Sequence, residues 1–130
     1  MEEVKKKKPR IKKWGENGFV GKIQYGCYEY TIRFVPEKAV AKYASLYPDT
    51  KAYGVIHCDE QTILISSDLT EQTKKLSLMH ELTHMVFINN NVGLSEDTLN
   101  IQKEELVDNV AARMFELMKR NPELMRWLLK

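Results

Sequence analysis

The stretch LSLMHELTHMVFINNN, residues 76–91, places two histidines four positions apart, with a glutamate directly after the first. Apolar residues surround the histidines, and a run of asparagines followed by Gly93 closes the segment. This pattern predicts one long helix over about residues 69–88. Asp68 directly before this helix and Glu71 in its first turn have the spacing of a capping box, in which each side chain bonds the backbone amide of the other residue.

On such a helix His80 and His84 lie one above the other on the same face. Both rings can therefore present a nitrogen to one metal ion at about 2.0–2.1 Å. Glu81 is rotated off that axis and is placed to act as a general base on a water at the ion. The alternative is two histidines that merely share a helix face. Because the neighbouring residues are apolar, unpaired histidines would be a costly way to build a core, which favours the metal site.

A catalytic zinc site needs a third protein ligand. The chain has one other histidine, His57, and no histidine or cysteine follows the motif, so a downstream ligand must be a carboxylate. Glu104 and Asp108 lie one turn apart on the next long helix. We expect Glu104 to bind the ion and Asp108 to accept a hydrogen bond from a ligand histidine. Glu105 is the competing ligand, but it points about 100° away and has no acid one turn further on. Alone, these acids would indicate a solvated helix flank.

The rest of the chain predicts the elements around this helix. Alternating residues broken near Gly26 indicate two strands, and two further strands are expected to form a hairpin before the motif. A third helix precedes that hairpin, and Asn121 is placed to cap a short helix at the end of the chain. The sequence therefore predicts an α+β domain whose short, mainly antiparallel sheet packs against three principal helices. The predicted strands cover residues 19–34, 52–58 and 61–67, and the predicted helices cover residues 36–47, 69–88 and 101–120.

Composition indicates one globular domain with a basic arm. The chain has 130 residues, of which 43% are hydrophobic and 29% charged. Residues 1–13 hold seven Lys or Arg and two Glu, so the remainder has 13 basic and 16 acidic groups. We therefore divide the chain into a flexible basic arm, residues 1–13, and a single domain, residues 14–130. The arm could touch nucleic acid or an acidic partner, but the other cations are dispersed in sequence, so direct nucleic-acid binding is not expected.

The sequence also bears on where the protein works. No apolar run is long enough to span a bilayer, and the basic N-terminus has no apolar stretch behind it, so we expect a cytoplasmic protein with no membrane partner. In that reducing compartment Cys27 and Cys58 are expected to be free thiols in or near strands.

An HExxH helix followed by E-x-x-x-D on the next long helix resembles the gluzincin branch of the zincin metallopeptidases. Over residues 35–120 the chain is most similar to the ImmA/IrrE metallo-endopeptidases, which phages and other mobile elements often encode. Their second motif has the form E-x-x-A-[ND]-x-F-A, and here the segment is EELVDNVAARM. This chain departs from the family at three points: Thr83 stands where glycine is common, Val107 and Val110 replace Ala and Phe, and no Leu-Met-Pro follows.

The resemblance implies a small zincin-like fold and zinc-dependent hydrolysis of a peptide bond in a protein partner, such as a DNA-binding repressor. Glu81 would take the proton of the attacking water and pass it to the leaving amine. His57 and Tyr53, just upstream, are candidate contacts to the oxyanion or the substrate. The competing interpretation is a catalytically silent or partner-activated domain that keeps zinc only to stabilise a protein-binding fold. A nucleic-acid-associated protein that uses the basic arm is a further alternative.

Overall fold

The computed structural model describes residues 10–44, 53–89 and 103–130, with the side chains of residues 88–89 and 103–108 excepted. Within these ranges the chain forms four strands and four helices. The order of strands and helices is the one that the sequence predicts, and the fold class α+β is confirmed. The elements are β1 (Val20–Tyr25), β2 (Tyr28–Val35), α1 (Glu37–Tyr43), β3 (Gly54–His57), β4 (Thr62–Ser66), α2 (Glu71–Asn89), α3 (Lys103–Arg120) and α4 (Pro122–Leu128).

The described strands form one sheet in the order β1-β2-β4-β3. β1 pairs with β2 and β3 with β4 in antiparallel fashion, whereas β2 and β4 run parallel. The first hairpin closes at Gly26, whose φ of 59° lies in the left-handed region that glycine adopts without steric cost. The predicted mainly antiparallel sheet is confirmed, and it leaves β1 and β3 at its two edges.

Helices cover both faces of the sheet, and the central strand β4 shows this most clearly. Ile63 and Ile65 are fully buried in the main core, between the sheet and helices α2, α3 and α4. Leu64 points to the other face, where it packs with Val40 of α1. A strand buried on both sides reads as a continuous apolar run, and β4 carries Ile63, Leu64 and Ile65 in succession.

Helix α2 buries one stripe and exposes the opposite one. Leu78, Leu82, Met85 and Val86 are fully buried at the spacing of a single helix face. His80 and His84 therefore point to solvent, and both are exposed. The argument that unpaired histidines would be costly in this apolar stretch therefore does not apply, because the apolar residues near them in sequence occupy the other side of the helix.

The predicted capping box at the start of α2 is also wrong. Helix α2 begins at Glu71, and Thr70 Oγ1 accepts a hydrogen bond from the Thr73 amide at 3.3 Å. Asp68 instead accepts a hydrogen bond from the Glu37 amide at 3.0 Å, which caps α1 from the loop before α2. Asp68 therefore makes a tertiary contact with α1, whereas the local sequence pattern predicts that it caps α2.

Asn121 stands at the N-cap position of α4, as expected, but its side chain does not cap that helix. Its amide nitrogen donates to Gln24 O and to Leu117 O, and its Oδ1 accepts from Gln24 N. The buried side chain thus bonds both backbone groups of one residue on edge strand β1. These hydrogen bonds connect the junction of α3 and α4 to the sheet.

The remaining predictions for the helices are met in part. Helix α1 ends at Tyr43, short of the predicted residue 47, and residues 45–52 lie outside the described ranges. On α3, Leu117 is buried and Val110 and Met114 pack against the core, as the predicted stripe requires. The Val107 side chain lies outside the described set. Cys27 and Cys58 are free thiols in turns beside strands.

Candidate metal centre

The two motif histidines converge on the solvent-facing side of α2. Their Nε2 atoms are 3.1 Å apart, and the rings meet edge to face with centroids 4.7 Å apart. Two nitrogens bound to one ion at about 2.0–2.1 Å with tetrahedral angles would be about 3.3 Å apart. The distance is that of a hydrogen bond between the two rings, and it is close enough to chelate spacing that a small ring movement would let both nitrogens bind one ion. The donor chemistry suits a divalent transition metal.

Glu81 is the buried member of the motif. It is only 7% exposed, whereas the histidines on either side of it are exposed. Burial raises the pKa of its carboxyl group, and the nearby charges of His84 and His80 oppose that rise. A carboxylate held out of water beside two imidazoles binds a proton more readily than an exposed glutamate does.

The Glu81 side chain packs against strand β3 at Gly54. A Cβ atom on Gly54 would lie 3.3 Å from Glu81 Cγ and 2.8 Å from Ile65 Cδ1. The missing side chain therefore lets the stem of Glu81 lie directly against the backbone of β3. Sequence reasoning missed Gly54, although a glycine that opens a short strand is a recognised mark of close backbone approach.

The third-ligand helix is present where the sequence predicts it, since α3 spans Lys103–Arg120. The side chains of Glu104, Glu105 and Asp108 lie outside the described set, so their roles stay predictions. Among the residues whose side chains are described, no group of three or more His, Cys, Asp or Glu is placed to hold a metal ion. The structure thus brings His80, Glu81 and His84 together through α2.

His57 and Tyr53 lie at opposite ends of β3. His57 Nε2 is 3.1 Å from Tyr43 O, and its ring meets that of Tyr43 edge to face at 4.3 Å. His57 is three residues beyond Gly54, or about 10 Å along an extended strand. Tyr53 immediately precedes Gly54 and is 51% exposed, and its carbonyl accepts a bond from the Ser66 amide. No described contact joins either residue to the histidine pair.

Tyr43 forms a further cluster at the outer end of β3. Its hydroxyl donates a hydrogen bond to Glu60 in the β3–β4 turn. Burial and this carboxylate raise the pKa of Tyr43 to about 12. The phenol is therefore neutral at physiological pH and joins α1 to the turn, a structural contact that the sequence did not indicate.

The fold and the motif together define a metallopeptidase-like domain: an α+β unit in which an HExxH helix lies beside a sheet edge. The comparison with protein families agrees. Residues 29–121 match the model Peptidase_M78, described as IrrE N-terminal-like domain, and the chain belongs to this family. Neither the curated proteins nor the solved structures gave a match. None of the described helices is long and apolar enough to cross a bilayer.

Proposed function

We propose that the chain is a zinc-dependent endopeptidase that hydrolyses a peptide bond in a specific protein partner. The observation that carries the proposal is the pair of Nε2 atoms 3.1 Å apart, with the buried Glu81 beside it. Membership of a metallopeptidase family supports the same reaction class. A DNA-binding repressor is one partner that fits the family resemblance.

In this proposal His80, His84 and Glu104 hold the zinc ion, and Asp108 accepts a hydrogen bond from the far nitrogen of a ligand histidine. Such a bond fixes the tautomer and the ring orientation of the ligand. A zinc ion held by these residues would lower the pKa of a water molecule and polarise the scissile carbonyl.

Glu81 moves the proton. Its carboxylate accepts a proton from the attacking water and delivers it to the leaving amine. A base of this kind works best when its pKa approaches the working pH, and burial moves the pKa of Glu81 in that direction. The contact with Gly54 keeps the carboxylate stem against β3, so the acceptor oxygen has little freedom to turn away.

We expect the substrate backbone to bind along the edge strand β3. β3 pairs with β4 on one side, and an extended peptide can add to its other side through main-chain hydrogen bonds. Tyr53, exposed beside Gly54, is the nearer candidate for a contact with the oxyanion or substrate. The His57 ring is engaged by Tyr43, so its use would require that contact to break.

Metal content is the first test. Protein purified without a metal-affinity column is analysed by elemental mass spectrometry, together with Glu104→Ala and the neighbouring control Glu105→Ala. We expect one zinc per chain in the unmodified protein and in Glu105→Ala, and loss of zinc in Glu104→Ala. The reverse pattern would assign the ligand to Glu105. Protein that takes up no zinc even after incubation with the ion would refute the metal site.

Cleavage is the second test. Zinc-loaded protein and Glu81→Gln are incubated with a cell lysate, and new peptide N-termini are labelled and identified by mass spectrometry. We expect zinc-dependent new termini that fall by about 10²–10⁴-fold in Glu81→Gln, while that variant keeps its zinc. Equal cleavage by both proteins would refute the role of Glu81. Zinc binding with no cleavage by either would favour the silent or partner-activated domain.

A further inference from the structure

Helices α2, α3 and α4 line an apolar groove beside the N-terminal half of α2. The groove has a volume of about 250 Å³. Leu76 and Leu129 at its rim are 63% and 83% exposed, so the apolar surface extends beyond the concavity itself. Its further lining includes Met79, Met114, Met118 and Met125. Methionine is the most adaptable apolar side chain and is common on surfaces that bind protein segments.

A basic pocket adjoins this groove across the last turn of α4. It has a volume of about 340 Å³, and Trp14 and Trp127 form one wall with ring centroids 5.9 Å apart. Its charged lining residues are Lys12, Lys13, Arg126, Lys130 and Glu123. Lys12 and Lys13 belong to the basic arm and Arg126 and Lys130 to the other end of the sequence, so the fold assembles a cluster that the sequence analysis did not predict.

Lys75 joins the two concavities. It lines the apolar groove, its amine lies 5.5 Å from the ring centroid of Trp127, and it donates a hydrogen bond to Lys130 O. The groove and the pocket therefore form one continuous face, which we call the basic–apolar face. Leu76 on this face is one helical turn from His80, so the face begins about 6 Å along α2 from the candidate metal centre.

We propose that the basic–apolar face docks an acidic amphipathic segment of a protein partner. Of the charged side chains that line the pocket, four are cationic and one is a carboxylate, which favours a negatively charged occupant. The apolar groove selects side chains that repeat on one side of a helix, which is the usual way an amphipathic helix binds. The proposal does not depend on peptide hydrolysis, because neither concavity uses the motif histidines or Glu81.

Other anionic partners match only part of the face. Nucleic acid would satisfy the cations but would leave the apolar groove without a partner, since its backbone presents phosphates. A bilayer surface is flat, whereas the methionines line a concavity that a flat surface cannot fill. A single protein segment with acidic and apolar residues can pair with the cations of the pocket and fill the apolar groove at the same time.

The test uses a fluorescein-labelled peptide of about 18 residues, roughly five helical turns, with leucines at helical spacing and glutamates elsewhere. Anisotropy is measured with the full chain, with and without chelator. The comparison probes are a scrambled peptide of equal composition, a version with lysine in place of glutamate, duplex DNA of about 20 base pairs, and phosphatidylserine–phosphatidylcholine vesicles. We expect saturable binding of the acidic amphipathic peptide, unchanged by chelator and at least about tenfold weaker for every other probe.

Variants assign the binding to the face. Lys13→Glu combined with Arg126→Glu, and separately Leu76→Ser, should each weaken peptide binding by about tenfold or more. The matched controls Lys38→Glu with Lys42→Glu, on α1 across the sheet, and Val20→Ser, on β1, should leave it within about twofold. Urea unfolding midpoints verify that each variant is folded; Leu76 is exposed, so its replacement removes no core contact.

Three outcomes would overturn the proposal. Tighter binding of DNA or vesicles than of the peptide would assign the face to a different polyanion. Equal binding of the scrambled peptide would remove the role of the groove. Absence of peptide binding, or an equal loss of binding in the control variants, would refute the docking site. If the protein bound no zinc yet bound the peptide as described, the metallopeptidase proposal would fail and this one would stand.

Discussion

Gly54→Ala tests the close packing around Gly54 of β3, where both Ile65 and Glu81 lie near the position of an added Cβ. The backbone of Gly54 does not occupy the positive-φ region, so alanine is sterically possible there as far as the backbone is concerned. The added Cβ would lie 2.8 Å from Ile65 Cδ1, and favourable carbon–carbon contacts lie at about 3.5–4.0 Å. Ile65 must therefore retreat by roughly 0.7–1.2 Å within a core where it is fully buried.

The expected cost follows from two opposing terms. Overpacking of a core site costs about 1–3 kcal/mol. Replacing glycine recovers about 0.4–1 kcal/mol through the lower entropy of the unfolded chain. We therefore expect Gly54→Ala to lower the free energy of unfolding by about 1–2 kcal/mol.

Ile65→Val supplies the decisive comparison because it removes Cδ1, the atom that the new Cβ would meet. Alone it should cost about 0.5–1.5 kcal/mol, and in its presence Gly54→Ala should cost little. Urea unfolding of the metal-free protein then gives a coupling free energy of about 1–2 kcal/mol between the two sites. Ile63→Val, also buried in β4, is the control and should combine additively with Gly54→Ala. Additivity of Gly54→Ala with Ile65→Val, within about 0.5 kcal/mol, would refute the contact.

Two further predictions concern Glu81 and Asn121. The raised pKa of Glu81 means that the folded state binds its proton more tightly than the unfolded state, so the stability of chelator-treated protein should fall as pH rises above 4.5 toward the raised value. Glu81→Gln should remove that slope and make the metal-free fold more stable at pH 7; an unchanged pH profile would contradict the burial argument. Asn121→Ala removes three hydrogen bonds and should cost about 2–4 kcal/mol in urea unfolding. A loss below about 1 kcal/mol would show that solvent replaces these bonds.

Periodicity, together with turn and cap residues, was sufficient to predict the order of the elements. The two hairpins, the HExxH helix and the long helix after it produce strong repeats of two or 3.6 residues, which arise from burial and do not depend on distant contacts. The parallel pairing of β2 with β4 lay beyond that reasoning, because a local pattern does not reveal which strands become neighbours.

The side chains of Asp68 and Asn121 show why local rules fail at particular residues. Each stands where a helix cap is expected, and each instead bonds a backbone group far away in sequence. The spacing of His80 and His84 was predictable, since it follows from helix geometry. The burial of Glu81 was not, because it depends on Gly54 of a strand whose position over α2 is set by the whole core.

The bond from Asn121 to Gln24 has a consequence for how copies of the chain can associate. Sheets polymerise when both outer strands offer free backbone groups, because each added copy presents a new edge to the next. Here the Asn121 side chain bonds the backbone N–H and C=O of Gln24 on β1, one of the two outer strands. The other outer strand of the described sheet is β3. Two molecules that pair through β3 would each turn β1 outward, and a further copy could pair along the whole of that strand only by displacing the Asn121 side chain from Gln24.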